Sequence, residues 1–131
     1  MLILDSDTTS RLELVAALRD HFQLLPHDES LPAVRRVRSE QPALVLVVLG
    51  RRKAPQALRT ARVLKTDARP PAVAVIDPWG RADEDDLEVC DGVWRGTPDT
   101  GLVAWCQAVL AGKGPREARP LRRGGLRRLF T

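Results

Sequence analysis

The stretch Leu44-Val45-Leu46-Val47-Val48-Leu49 is continuously apolar, and half of it is valine, a β-branched residue that favours strands. A strand without polar positions has both faces covered, as happens in the middle of a parallel sheet with helices on each side. The stretch therefore predicts the central strand of an α/β domain. It is too short to cross a lipid bilayer.

Four shorter apolar segments are separated from this stretch and from one another by helix-like sequence. Alternation of strands and helices along a chain is typical of βαβ units, in which the strands lie parallel. The further predicted strands are Leu2 to Leu4, Phe22 to Leu25, Ala72 to Ile76 and Gly92 to Trp94.

Signals for helix starts fall in the gaps between these strands. Hydroxyl side chains, a proline in the first turn and acidic residues near the N-terminus all favour a helix start. A fourth helix is predicted near Arg81 to Cys90, and the last helix is expected to end between Gly112 and Gly114. The other predicted starts are Thr8, Thr9 or Ser10 for the first helix, Ser30 with Pro32 for the second, Pro55 for the third and Thr97-Pro98-Asp99 for the last.

The length of 131 residues fits one domain, predicted over residues 1–113 and followed by a basic Gly/Arg-rich tail over residues 114–131. The net charge is +4, but residues 116–131 alone hold six arginines and one glutamate. Residues 1–115 therefore carry 15 basic and 16 acidic side chains. This distribution argues against a basic surface spread over the whole domain.

Common enzyme and nucleotide-binding motifs are absent from the sequence, including Gly-x-Gly-x-x-Gly, a Walker loop and His-Glu-x-x-His. We therefore expect neither an enzyme nor a bound cofactor. Cys90 and Cys106 have no His or Cys at zinc-ligand spacing and are expected to be buried thiols. We expect a cytoplasmic protein, because Asp5 follows too soon after the first residue for a signal peptide to precede the fold.

Three segments resemble the receiver domain of bacterial response regulators. Residues 2–7, Leu-Ile-Leu-Asp-Ser-Asp, are similar to the family's first strand, which ends in acidic residues that hold Mg²⁺. Residues 41–49 are similar to its third strand, which follows a proline and ends in the phosphorylated aspartate, and Asp91-Gly92-Val93-Trp94 is similar to the start of its fifth strand. The resemblance covers residues 1 to about 113 and implies a flavodoxin-like (βα)5 fold, a doubly wound five-stranded parallel sheet.

The residues that would carry the family's chemistry have changed. In the family's register the phosphorylated aspartate falls on Val48, which has no nucleophilic oxygen. The hydroxylated residue that ends the fourth strand falls near Ile76 or Asp77, and the lysine falls near Gly96, with Arg95 close but out of register. The resemblance therefore implies a degenerate phosphorylation pocket that takes up no phosphate, formed by Asp5, Ser6, Asp7, Val48, Ile76, Asp77 and Gly96.

Two roles stay open for the acids of this pocket. Asp5 and Asp7 either form a weak Mg²⁺ site or cap the loop and the first helix. Asp77 either accepts phosphate in place of the missing aspartate, at the carboxyl edge of the sheet, or is a turn residue before Pro78.

Candidate contacts with a partner protein are the tryptophans Trp79, Trp94 and Trp105, which either pack in the core or anchor a partner. In the receiver family the docking face is formed by the fourth helix, the fifth strand and the fifth helix. Basic residues at 35–38 and 51–53 oppose an acidic run at 83–88, and such opposed patches permit a homodimer through head-to-tail contact.

The tail alternates pairs of arginines with apolar residues. It is interpreted as a solvated end, as a peptide that binds a groove of a partner, or as a contact with nucleic acid or an anionic membrane. Four of its residues, Gly125-Leu126-Arg127-Arg128, are also similar to the loading peptides of encapsulin cargo proteins. Its candidate contact residues are Arg122, Arg123, Leu126, Arg127, Arg128, Leu129 and Phe130.

The sequence therefore predicts a pseudo-receiver that works without phosphorylation, as a protein-binding adaptor or regulator in bacterial signalling or localisation. The alternative is association with nucleic acid or an anionic membrane through the tail.

Overall fold

The computed structural model describes residues 1–5, 7–27, 33–50, 55–88, 90–112 and 117–118. Strands and helices alternate along the chain, which confirms the predicted α/β class. The strands are β1 (Leu2–Leu4), β2 (Leu25–His27), β3 (Leu44–Val48), β4 (Ala72–Asp77), β5 (Gly92–Arg95) and β6 (Glu117–Ala118). The helices are α1 (Thr8–Leu18), α2 (Ala33–Glu40), α3 (Pro55–Lys65), α4 (Glu84–Leu87) and α5 (Leu102–Leu110).

All strand pairs of the sheet are parallel, and the described strands lie in the order β2-β1-β3-β4-β5-β6. β3 has β1 and β4 as neighbours and is buried along its whole length, which confirms the prediction of an interior strand. The two-residue strand β6 pairs with β5 and falls within the range predicted as the tail. No described helix is long and apolar enough to cross a membrane.

Helices pack against the sheet in two separate apolar clusters. Since side chains of a strand point alternately to opposite faces, the residues of β3 divide between them. Val45 and Val47 belong to one cluster, with buried side chains of α2 and α3. Leu46 and Val48 belong to the other cluster, with buried side chains of α1 and α5.

The second strand lies about three residues later than the sequence predicts. Phe22 donates its backbone N–H to the carbonyl of Leu18, at 3.0 Å, and so still belongs to the turn that ends α1. β2 begins at Leu25, which donates to the carbonyl of Met1 at 2.8 Å. Pro26 has no backbone N–H, and a strand at the edge of a sheet tolerates that loss.

The last helix also begins later than predicted. Thr97-Pro98-Asp99 precedes the helix, because the Asp99 side chain accepts a hydrogen bond from the N–H of Gly101 at 2.8 Å. Such a local side-chain contact stabilises a turn and competes with helix formation. The predicted end is confirmed by Gly112, which follows α5 with φ of +68°, a conformation that favours glycine.

Asp91 holds α3, β4 and β5 in register. Its backbone N–H donates to the carbonyl of Val73, and its carboxylate accepts from the N–H of Val73 and from Lys65 Nζ, each at 2.7 Å. With this contact at the amino ends of β4 and β5, the pairing continues to their carboxyl ends, where Asp77 lies opposite Arg95.

Candidate functional site

The carboxyl ends of the parallel strands form one edge of the sheet, and a cleft of about 810 Å³ opens there. It lies where α1, α5 and the loops that follow β3, β4 and β5 meet. Of the residues of the predicted pocket, Asp5, Asp7 and Val48 line this cleft. The remaining residues that line the cleft are Ser10, Glu13, Leu14, Ala17, Leu49, Gly50, Pro78, Trp79, Thr97, Pro98, Asp99, Thr100, Leu102 and Val103.

Asp5 follows β1 and lies in the wall of the cleft, with a side chain that is 3% exposed. Its Oδ1 accepts a hydrogen bond from the N–H of Asp7 at 3.0 Å, but its Oδ2 is buried without a hydrogen-bond partner. Burial raises the pKa of the Asp5 carboxyl, against smaller opposing effects of the nearby Ser10 side chain and of the hydrogen bond from the N–H of Asp7. Buried polar atoms normally have partners, so Oδ2 marks a point where a ligand with N–H donors would be stabilised.

Asp7 caps the first helix, which is one of the two roles that the sequence leaves open. It is the N-cap residue, and its Oδ1 accepts from the N–H of Ser10 at 3.2 Å. The predicted caps Thr8, Thr9 and Ser10 all lie inside the helix. Among the described residues, no group of three or more His, Cys, Asp or Glu side chains is placed to hold a metal ion. Ser6 lies outside the described residues.

Val48 and Ile76 form an apolar wall at the carboxyl ends of β3 and β4. They lie opposite each other in the pairing of β3 with β4 and are 6% and 0% exposed. Both belong to the cluster with α1 and α5, and Val48 also lines the cleft. Neither side chain carries a group that reacts with phosphate.

Asp77 is engaged on both of its carboxylate oxygens and does not line the cleft. Oδ1 accepts from the N–H of Arg81 at 2.8 Å, and Oδ2 accepts from the N–H of Ala82 at 3.0 Å. Asp77 is completely buried, and these contacts stabilise the loop that begins at Pro78. Of the two predicted roles, the turn residue is the one that this geometry describes.

Arg95 contacts Asp77, and the sequence did not predict this contact. Its Nη1 lies 2.5 Å from Asp77 Oδ2 and also donates to the carbonyl of Ala82 at 3.2 Å. The signal in the sequence was weak, because Arg95 precedes by one position the place where the family's lysine falls. Its side chain reaches the acid only because β4 and β5 pair with these two residues opposite each other.

Gly96 follows with φ of +111°, a conformation that side chains other than glycine's rarely adopt. Its N–H donates to the carbonyl of Asp77 at 3.3 Å. A lysine in this place would strain the backbone, so the position has the geometry of a turn.

Two of the three tryptophans are buried and the third is exposed. Trp94 and Trp105 are 2% and 5% exposed, and their rings form an edge-to-face pair with centroids 5.6 Å apart. The prediction that these two contact a partner is wrong in this structure, because the core covers them. Trp79 is 53% exposed and lines the cleft, as an interface anchor would.

The charged side chains among the described lining residues of the cleft are acidic. Asp5, Asp7, Glu13 and Asp99 line it, whereas none of its described lining residues is Lys, Arg or His. The nearest basic side chain on α1, Arg11, donates to the backbone carbonyl of Asp5. Outside the cleft lining, α4 and its caps carry further exposed acids, Asp83, Glu84, Asp85 and Glu88.

The predicted basic patch is only partly described. On α2, Arg35 and Arg38 are exposed, and Arg38 pairs with Asp67 at 2.9 Å. The basic residues at 51–53 lie outside the described part of the chain, as do the tail contacts Arg122, Arg123, Leu126, Arg127, Arg128, Leu129 and Phe130.

Comparison of the chain with protein-family models and with curated proteins gives no match. The chemistry of the cleft is therefore interpreted from its own residues.

Proposed function

We propose that the chain is a receiver-type, flavodoxin-like domain that has lost phosphotransfer and acts as an adaptor by binding another protein. The strand order β2-β1-β3-β4-β5 within the sheet supports this assignment, because it is the order of flavodoxin-like folds. The two apolar clusters, with α1 and α5 in one and α2 and α3 in the other, support a doubly wound arrangement.

The observation that carries the loss of phosphotransfer is the contact between Asp77 and Arg95. Phosphoryl transfer to a protein requires an accessible nucleophile, together with cations that neutralise the charge of the phosphoryl group. Here the cation Arg95 neutralises the buried Asp77, and Val48 stands in the register of the nucleophile. The carboxylate at the end of β4 is therefore engaged in structural contacts, and the residue in the register of the nucleophile has no group that could accept phosphate.

The surface that supports partner binding is the cleft together with the α4-β5-α5 face, and Trp79 lies between β4 and α4 at their border. Trp79 is exposed, and tryptophan is one of the side chains enriched among the residues that contribute most to binding at protein interfaces. The acids of the cleft and of α4 favour a partner with a basic segment, since opposite charges raise the rate of association and select the partner.

Site-specific photo-crosslinking tests this function. A benzoylphenylalanine is placed at Trp79 in one variant and at Val63, a 43% exposed residue of α3, in a matched control, and both are irradiated in cells that express the chain naturally. We expect one reproducible protein adduct from position 79 that is absent from position 63 and weakens at high salt in a lysate. Identical adducts at both positions, or none at position 79, would contradict an adaptor that binds through this surface.

A further inference from the structure

The last described strand directs the chain toward the cleft. β6 runs parallel to β5, with Trp94 opposite Ala118, so it points to the same edge of the sheet as β5. Thr97, Pro98 and Asp99, which follow β5 closely, line the cleft. An extended chain covers at most about 3.5 Å per residue, which places Arg122 within about 14 Å of Ala118.

The residues that follow β6 complement the cleft in charge and in polarity. Residues 119–131 contain five arginines and no acid. The segment also carries apolar side chains, Leu121, Leu126, Leu129 and Phe130. They match in polarity the apolar part of the cleft wall, which includes Val48, Pro78 and Leu102. A basic and apolar segment thus follows a strand that points to the edge of the sheet where a cleft with acidic and apolar lining residues opens.

Asp5 provides a specific point of contact. Its Oδ2 is a buried acceptor without a partner in the wall of the cleft, and an arginine guanidinium carries five N–H donors. A hydrogen bond between an arginine and a carboxylate is charge-assisted and about twice as strong as a neutral one. Arg11 does not supply it, because its Nη1 donates to the backbone oxygen of Asp5.

We propose that residues 119–131 of the same chain bind in this cleft, with an arginine on Asp5 and apolar side chains against Val48 and Trp79. This inference rests on the proposed function, in that it assigns an occupant to the same cleft. A tethered segment is present at an effective concentration of about 1 mM. The tail then competes with the basic segment of an external partner. The partner binds in the cleft only when it displaces the tail.

Amide spectra of two ¹⁵N-labelled chains of residues 1–131 test the proposal. One is the unmodified chain, and the other carries Arg122→Gln, Arg123→Gln, Arg127→Gln and Arg128→Gln. We expect chemical-shift differences at the amides of Asp7, Ser10 and residues 97–100, and none on α3, with no change on tenfold dilution. Differences confined to residues beyond 118 would overturn the proposal, and differences that vanish on dilution would assign the cleft to the tail of a second copy.

A competition measurement adds a matched pair of cleft variants. A fluorescent peptide of residues 119–131 is titrated onto the unmodified chain and onto the chain with the four arginine-to-glutamine substitutions, called the glutamine tail. In the unmodified chain the attached tail competes with the peptide and should weaken its apparent binding at least tenfold. In the glutamine-tail background, Glu13→Gln should weaken binding of the peptide, whereas Glu88→Gln, outside the cleft, should not. Equal affinity for all four chains would overturn the proposal.

The two proposals fail separately. A specific adduct at position 79 without any effect of the tail overturns the tail docking and leaves the adaptor function in place. Shifts of the cleft amides without an adduct at position 79 overturn the adaptor function and leave the tail docking in place.

Discussion

Arg95 Nη1 contacts Asp77 Oδ2 across the paired ends of β5 and β4, and Asp77 is completely buried. Removal of one partner of a buried ion pair leaves the other charge uncompensated, which costs about 3 kcal/mol. We therefore expect Arg95→Ala to lower the free energy of unfolding in urea by about that amount, and Arg95→Lys to lower it by less.

The control for this prediction is Arg38→Ala, which removes an ion pair with Asp67 on the surface. Exposed pairs contribute little because water and salt screen them, so the urea midpoint should move much less than for Arg95→Ala. Equal effects of the two substitutions would show that the Asp77 pair does not stabilise the strand ends.

The raised pKa of Asp5 predicts how the stability of the folded protein depends on pH. Because burial raises the pKa of Asp5 in the folded state above its ordinary 3.8, its stabilising contribution is present below pH 3.8 and is lost as the pH rises through the raised value. In the glutamine-tail background, where four of the five arginines of residues 119–131 are replaced, Asp5→Asn should therefore stabilise the protein at pH 7. The gain should shrink as the pH falls toward 4.

Urea unfolding at several pH values measures this dependence. Asp7→Asn is the matched control, since asparagine caps a helix about as well as aspartate does. A gain from Asp5→Asn that is the same at pH 7 and pH 4 would show that burial of Asp5 does not disfavour its charged form.

The exposure of the three tryptophans predicts how their fluorescence is quenched. Trp79→Phe should remove most of the emission that iodide quenches, because Trp79 is the tryptophan in contact with water. Trp105→Phe should leave that component unchanged, since Trp105 and Trp94 are covered by the core. Equal loss of the quenchable emission in both variants would contradict the placement of Trp79.

Cys106 should be inert in the native protein, in keeping with the predicted buried thiols. Burial raises the pKa of the Cys106 thiol to about 12, so roughly one molecule in ten thousand carries the reactive thiolate at pH 8. In a Cys90→Ser variant, labelling by a disulfide reagent should require urea. Rapid labelling without urea would place Cys106 at the surface.

The features that the sequence predicts well are those set by local pattern. The unbroken apolar run 44–49 has the composition of an interior strand, and Pro55 begins a helix where it lacks no hydrogen bond. The second strand was misplaced because Phe22, although apolar, is held in the turn that ends α1.

At the candidate site, the contact between Asp77 and Arg95 could not be predicted from the sequence. Val48 and Gly96 differ from the residues that the receiver motif has at these positions. Each difference can be read from a single position of the sequence. The pairing of Asp77 with Arg95 depends on the register of β4 against β5, which Asp91 helps to set through Lys65 and Val73. Residues 18 positions apart carry no local signal of such a contact.

The burial of Trp94 and Trp105 could not be predicted from local sequence pattern either. Trp94 lies in a strand and Trp105 in a helix, and the two rings meet only because β5 and α5 pack together. In the sequence Trp79 has the same apolar character as these two, and only its place on the loop after β4 exposes it.

The most direct test of a receiver-type domain without phosphotransfer is the incorporation of phosphate from labelled acetyl phosphate and Mg²⁺, measured by intact-protein mass, with a competent receiver domain in the same tube. We expect the competent domain to gain one phosphoryl group and this chain to gain none, because Val48 is apolar and Asp77 is held by Arg95. A base-labile phosphate on Asp5 or Asp77 of the native chain would contradict the account.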